Sequence, residues 1–189
     1  SCARAAAAPG RRTGDGRTSG PEGKDDSGSS RSASGRSPSD RTGAGRPRPP
    51  ACSAKYKPDG TLLWAKNAGG ANEDYGSNIA LDSSGNIYVV GFFNGTSYWG
   101  NISKTSSTQG DMFIAKYDNN GNTKWVRKGD VGENNYLSGI GVDKTGNCYV
   151  SFVFSGDAHF DGATVASSSG EEDMFLIKYD TWGDFKWIK

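Results

Sequence analysis

Across its first 54 residues this chain has no Val, Ile, Leu, Met, Phe, Tyr or Trp, and across all 189 it has one histidine, three cysteines and two methionines. With His159 as its lone imidazole, the sequence excludes a His-rich metal centre or a His-bearing zinc protease helix. Two of the cysteines, Cys2 and Cys52, lie in the apolar-poor stretch, so neither a disulfide framework nor a Cys metal motif is expected. No apolar run approaches the roughly 18 residues that cross a bilayer, which argues against membrane insertion. There is no GxSxG elbow and no phosphate loop, and nothing in the sequence calls for a cofactor or metal.

Residues 1–54 carry nine of the ten arginines and a net charge of +5, while the remainder is −4; the formal total of +1 conceals the difference. A segment without apolar side chains cannot offset the entropy of ordering its backbone, about 1 to 2 kcal/mol per residue, so 1–54 is expected to be a disordered Arg/Ser/Gly/Pro-rich leader. No aromatic residue is interleaved for base stacking and acids are scattered through it, so no nucleic-acid partner is expected. The alanine run Ala5 to Ala8 is too short for the apolar core of a secretory signal. From Lys55 onward the basic residues are almost all Lys and Asn becomes frequent, which points to a different, even artefactual, origin for the leader.

What the rest of the chain has is repetition. KYKPDGTLLW begins at Lys55, KYDNNGNTKW at Lys116 and KYDTWGDFKW at Lys178, spacings of 61 and 62 residues. NIALDSSGNIYVV, residues 78–90, lies over GIGVDKTGNCYVS, residues 139–151, at the same offset of 61. A fixed period of this kind marks stacked supersecondary units, none of which can bury its apolar face alone. Each unit reads as four strands: a short apolar strand closed by an Asp-x-x-Gly-Asn turn (Asp82 to Asn86, Asp143 to Asn147), its hairpin partner, the Lys-Tyr strand, and a Trp-bearing strand around Trp64, Trp125 and Trp187. Alternation places Cys148, Val150, Phe152 and Phe154 on one face.

Four antiparallel strands repeated radially are the signature of a β-propeller blade. The expected fold is therefore all-β, with antiparallel four-stranded blades of an incomplete propeller preceded by the disordered segment. About two and a half blades are present: an outer hairpin at 55–66, a second blade at 77–128 and a third at 138–189. Such a fragment leaves the outer faces of its terminal sheets without a neighbouring blade.

Asp111, Phe113, Lys116, Tyr117, Asp118, Gly121 and Trp125, followed by Val142, Asp143, Gly146, Asn147, Tyr149 and Val150, resemble the bacterial SBBP beta-propeller repeats. That pattern couples D-x-F-x-x-K-Y-D, a Gly turn and a Trp with V-D-x-x-G-N-x-Y-V-x-G. The resemblance covers residues 55–189; Lys57 departs from it where the other copies carry an acid, as does Phe152 where the preceding blade has Gly91. It implies a large secreted or cell-surface bacterial protein, usually without catalysis. Blades of quinoprotein dehydrogenases look similar around the Gly turn and Trp but repeat at a different spacing.

The recurring Trp and Tyr residues are expected to pack between blades, and the Asp-rich turns lack the alternating ligands and distal Glu of a calcium loop. Function is sought where the repeats disagree, in the long segments 94–110 and 155–172. There Tyr98, Trp99, Asp157, His159, Phe160, Glu171 and Glu172 are the candidates for contact with a protein or carbohydrate partner. The expected function is a noncatalytic binding or spacing region; the alternative is part of a propeller-based enzyme, quinoprotein-like or hydrolytic, whose catalytic residues lie in other blades. Limited trypsin digestion should cut at Arg41, Arg46 or nearby before it cuts the blades, and protection of those bonds while the blades are digested would refute the leader assignment.

Overall fold

The computed structural model describes residues 30–32, 52–107, 110–131, 136–161, 163–166 and 172–189; strands and turns make up these residues, with no α-helix among them. The first sheet joins β1 (Ser30–Ser32), β2 (Cys52–Tyr56) and β3 (Leu62–Asn67), all antiparallel. Two of its parts fall inside the stretch expected to lack structure, since Ser30–Ser32 pairs with β2 and β2 itself starts at Cys52. Pairing of this kind uses backbone groups and needs no apolar side chain. The rest of the leader lies outside the described residues. Cys52 is disulfide-bonded, contrary to the expectation from cysteine count, and Cys148 is free.

After a short β4 (Gly69–Gly70) come β5 (Asp74–Leu81) and β6 (Ile87–Phe93), then a hairpin of β7 (Thr96–Trp99) and β8 (Ile102–Thr105), then β9 (Asp111–Tyr117) and β10 (Thr123–Asp130). The sheet order β5-β6-β9-β10 is the second blade. The pattern is written again as β11 (Tyr136–Val142), β12 (Cys148–Phe154), the hairpin β13 (Asp157–Phe160) and β14 (Ala163–Ala166), β15 (Asp173–Tyr179) and β16 (Phe185–Ile188). Here β11-β12-β15-β16 is the third blade. The register repeats as faithfully as the letters: an irregularity sits next to the Gly turn in all three Lys-Tyr hairpins, at Lys55/Tyr56, Thr123/Trp125 and Lys178/Tyr179.

The inserted hairpins were not anticipated. Each lies between the second and third strands of its blade in sequence, but bonds to the preceding repeat: β7 pairs with β4 (Gly69↔Tyr98), and β13 with the end of β10 (Asp130↔His159). The period-two pattern is short in both hairpins and interrupted by turns, which hides them among loop residues. Asp74 anchors the first of them, accepting from the backbone N–H of Gly70 at 2.7 Å and from the Ser97 hydroxyl.

Burial differs from blade to blade in a way that exposes the architecture. The β9 strand is buried at every position because it has a blade on each side, with Phe113, Ala115 and Tyr117 facing the first sheet and Met112 and Ile114 facing the third blade. In β12 burial alternates, and Cys148, Val150, Phe152 and Phe154 form the buried face that alternation predicted. Aromatic rings fill the seam between second and third blades, with Phe152 stacked on Phe175 at 5.5 Å and edge-on to Phe92 at 5.7 Å. Burial pushes the Cys148 thiol up to about 12, and the thiolate is the reactive form. A thiol reagent should therefore label Cys148 only after denaturation; prompt labelling of the native chain would place the residue on the wrong face.

Candidate functional site

The most heavily invested geometry is the junction between successive repeats. Trp125 Nε1 donates to the carbonyl oxygen of Thr181 at 3.1 Å, and Lys116 Nζ donates to that carbonyl at 2.9 Å and to Thr181 Oγ1 at 2.7 Å. One repeat earlier, Trp64 Nε1 donates to the Asn119 carbonyl at 3.1 Å and Lys55 Nζ to Asn119 Oδ1. In each case the Lys and Trp of one hairpin grip the Gly turn of the next. The indole also lies across the glycine: a Cβ added at Gly183 would come within 2.7 Å of the Trp125 ring, and one at Gly121 within 3.0 Å of the Trp64 ring.

A second contact supports the first. Tyr88 OH donates to the Gly146 carbonyl at 2.8 Å, and Lys116 Nζ stands 4.9 Å over the Tyr88 ring. Burial holds the Lys116 ammonium below its ordinary value, and the nearby Asp82 carboxylate offsets part of that effect.

The Asp turns hold themselves together. Asp118 accepts from the backbone N–H groups of Asn120 and Asn122, each at 2.9 Å, and the Asn122 N–H chiefly keeps its carboxyl at about 2. Asp143 is held well below the usual carboxylate range, first by the Thr145 hydroxyl and then by Asn147. Oxygens engaged in this way serve the turn, and no cluster of metal-binding side chains is present among the described residues.

The partner-contact candidates separate by burial. Trp99 and Phe160 are 1% exposed, each belonging to a seam between repeats, so they are removed from a solvent-facing set. Alternation along β7 and β13 sends these two inward and turns Tyr98, Asp157 and His159 outward. Glu172 is exposed, and Glu171 lies outside the described residues. His159 lines an open cleft of about 370 Å³ with Lys104, Lys128, Asp130 and Asp161. Its Nδ1 lies 2.9 Å from Thr164 Oγ1, and Lys128 Nζ is drawn to the fully buried Asp111 at 2.6 Å. This mixed-charge rim can hold a polar group. Sequence reasoning missed Trp182, 75% exposed at the tip of the 180–184 turn; its signal was that it stands where the other copies have Asp59 and Asn120, an aromatic that does not recur.

Comparison with known proteins agrees with this architecture. Residues 63–92 match the SBBP beta-propeller repeat family, a window running from β3 into β6 and so across a blade junction. The chain is 25% identical over 159 residues to an uncharacterized WD repeat-containing protein of Acanthamoeba polyphaga mimivirus, covering 68% of this chain and 11% of that protein. It is 29% identical over 135 residues to the regulatory protein FlaEY of Caulobacter vibrioides, covering 69% and 14%. The chain thus spans 11% and 14% of the length of these curated relatives.

The junction can be tested with two glycines of equal backbone strain. Gly60 and Gly183 both have φ of 84°, yet a Cβ at Gly60 would meet nothing within 4 Å. Alanine in the left-handed region costs about 1 to 2 kcal/mol at either position, and only Gly183→Ala adds the collision with Trp125. Thermal unfolding at low protein concentration should show the larger loss for Gly183→Ala; equal losses would refute the lock.

Proposed function

We propose that this chain is a noncatalytic β-propeller repeat region of a secreted or cell-surface protein, serving to bind a protein or glycan or to space other domains. The observation that carries this reading is a division of labour among side chains. At the internal junctions the recurring Lys116, Trp125, Phe113 and Tyr117 are used up between blades, while Tyr98, Trp182 and His159, which do not recur, are exposed.

The disulfide at Cys52 supports an oxidising compartment. WD repeats, named in one relative, build the same radial architecture of four-stranded blades, whose loops and rims present ligand-binding surfaces. The exposed ring of Trp182 favours stacking against a sugar face, and the separate polar cleft at His159 offers hydrogen-bonding groups.

Titration of tryptophan fluorescence with a panel of soluble cello-, xylo- and chito-oligosaccharides should give saturable quenching by at least one sugar, lost in Trp182→Ala, with the sugar recovered intact. Hydrolysis of the sugar, or quenching unchanged in Trp182→Ala, would overturn the reading.

A further inference from the structure

The cleft that holds His159 lies between the two inserted hairpins, and both of its walls are internal to the chain. On one side β8 packs against β10; on the other β13 pairs with the end of β10 through Gly129↔Phe160 and Asp130↔His159. Its volume of about 370 Å³ falls within the roughly 300 to 1,000 Å³ of small-molecule sites. Every charged residue of the lining departs from the period. Lys104 stands where the next hairpin has Val165, and Lys128 and Asp130 stand where the preceding repeat has Asn67 and Gly69. His159 and Asp161 likewise replace Tyr98 and Gly100. Asp161 takes a positive φ of 44° at the turn position where Gly100 has 65°, so a carboxylate is kept there against backbone preference. Docking a hairpin on its neighbour needs none of these charges, since β7 bonds to β4 through Gly69↔Tyr98 without them.

The polar groups are held in place from outside the cleft. Lys128 Nζ is tied at 2.6 Å to the fully buried Asp111, which also accepts from the Ser107 N–H and hydroxyl, each at 2.9 Å. One ammonium is thereby anchored with its charge met from below and with further N–H groups to donate. Lys104, half-buried on β8, is paired with no carboxylate among the described residues. Asp130, His159 and Thr164 stand opposite one another across β10, β13 and β14, which sets their side chains on one face. The contact of His159 Nδ1 with Thr164 Oγ1 at 2.9 Å orients the ring and leaves Nε2 to a ligand. A ligand that satisfies this lining carries an anion for Lys104, beside the donors of Lys128 and His159, and hydroxyl groups for the carboxylates of Asp130 and Asp161. A neutral sugar leaves the Lys104 charge unmet, and an inorganic anion or an acidic peptide brings few hydroxyls to the two carboxylates.

We propose that the cleft binds a uronate, the carboxylate of an acidic sugar meeting Lys104 and its ring hydroxyls meeting Asp130 and Asp161. That site presupposes glycan binding, one branch of the function proposed above, and it stands apart from Trp182. The strand β10 runs from Trp125, which holds the 180–184 turn, to Asp130 in the cleft, so the two surfaces lie at opposite ends of one strand.

His159 is the single histidine of the chain, so its ring C–H signals in a proton–carbon NMR spectrum report on this cleft alone. Titrating the full chain with trigalacturonate should shift them saturably and less so as salt is raised, whereas cellotriose should leave them unmoved. Lys104→Val writes in the residue that the other hairpin carries at this place and should weaken binding at least about tenfold. Asp130→Asn keeps an acceptor oxygen, removes a like charge and should bind trigalacturonate at least as tightly, a contrast that misfolding cannot produce. Equal loss in both variants, an equal shift with inorganic phosphate, or no shift with trigalacturonate would each overturn the proposal. Where trigalacturonate fails while a neutral sugar still quenches Trp182, the uronate site alone falls; where neither binds, glycan binding falls with it.

Discussion

Everything in this molecule depends on a lysine and a tryptophan of one repeat closing on a glycine turn of the next. The arrangement couples three requirements at a single point. The turn needs a residue at positive φ, the indole needs a flat surface without a Cβ, and the buried Lys and Trp donors need acceptors that no side chain of their own sheet supplies. A turn carbonyl with a glycine two residues later meets all three, which is why Trp64 and Trp125 find the same partners in successive turns. The doubled phrase in the sequence is thus the same joint made twice.

From that joint the burial pattern follows. A blade flanked on both sides can afford apolar residues on both faces, and β6 and β9 are buried almost throughout. The third blade has one covered face, so β12 and β15 alternate between buried and open positions although their sequences remain as apolar as those of the second blade. Identical letters acquire different exposures because a sheet's second face is completed only by the next sheet. The inserted hairpins reinforce the seam from outside by lending Trp99 and Phe160 to the clusters on either side of the second blade.

The positions left over face solvent. Along β13, Ala158 and Phe160 turn inward while Asp157 and His159 turn out, so one hairpin serves packing and surface chemistry at once. His159 meets Lys104 and Lys128 in a cleft assembled from three strands of two repeats, so its composition changes whenever either repeat changes. Repeat architectures commonly acquire specificity in this manner, with the period reserved for stacking and the departures from it for contact.

By itself the sequence determined the repeat length, the four-stranded antiparallel unit and the inward face of Cys148, Val150, Phe152 and Phe154. Those properties reside in local alternation, turn chemistry and fixed spacing, all of which are readable along one dimension. Only the tertiary structure decided that the hairpins β7–β8 and β13–β14 bond to the preceding repeat, that Trp99 and Phe160 are core while Tyr98 and His159 are surface, and that Trp182 stands free at a turn tip. It also revealed the acceptors of Lys116 and Trp125, some 56 to 65 residues away along the chain. Such pairings arise between sheets brought together by stacking, and a one-dimensional pattern records which residues want to be buried without recording which neighbour will bury them.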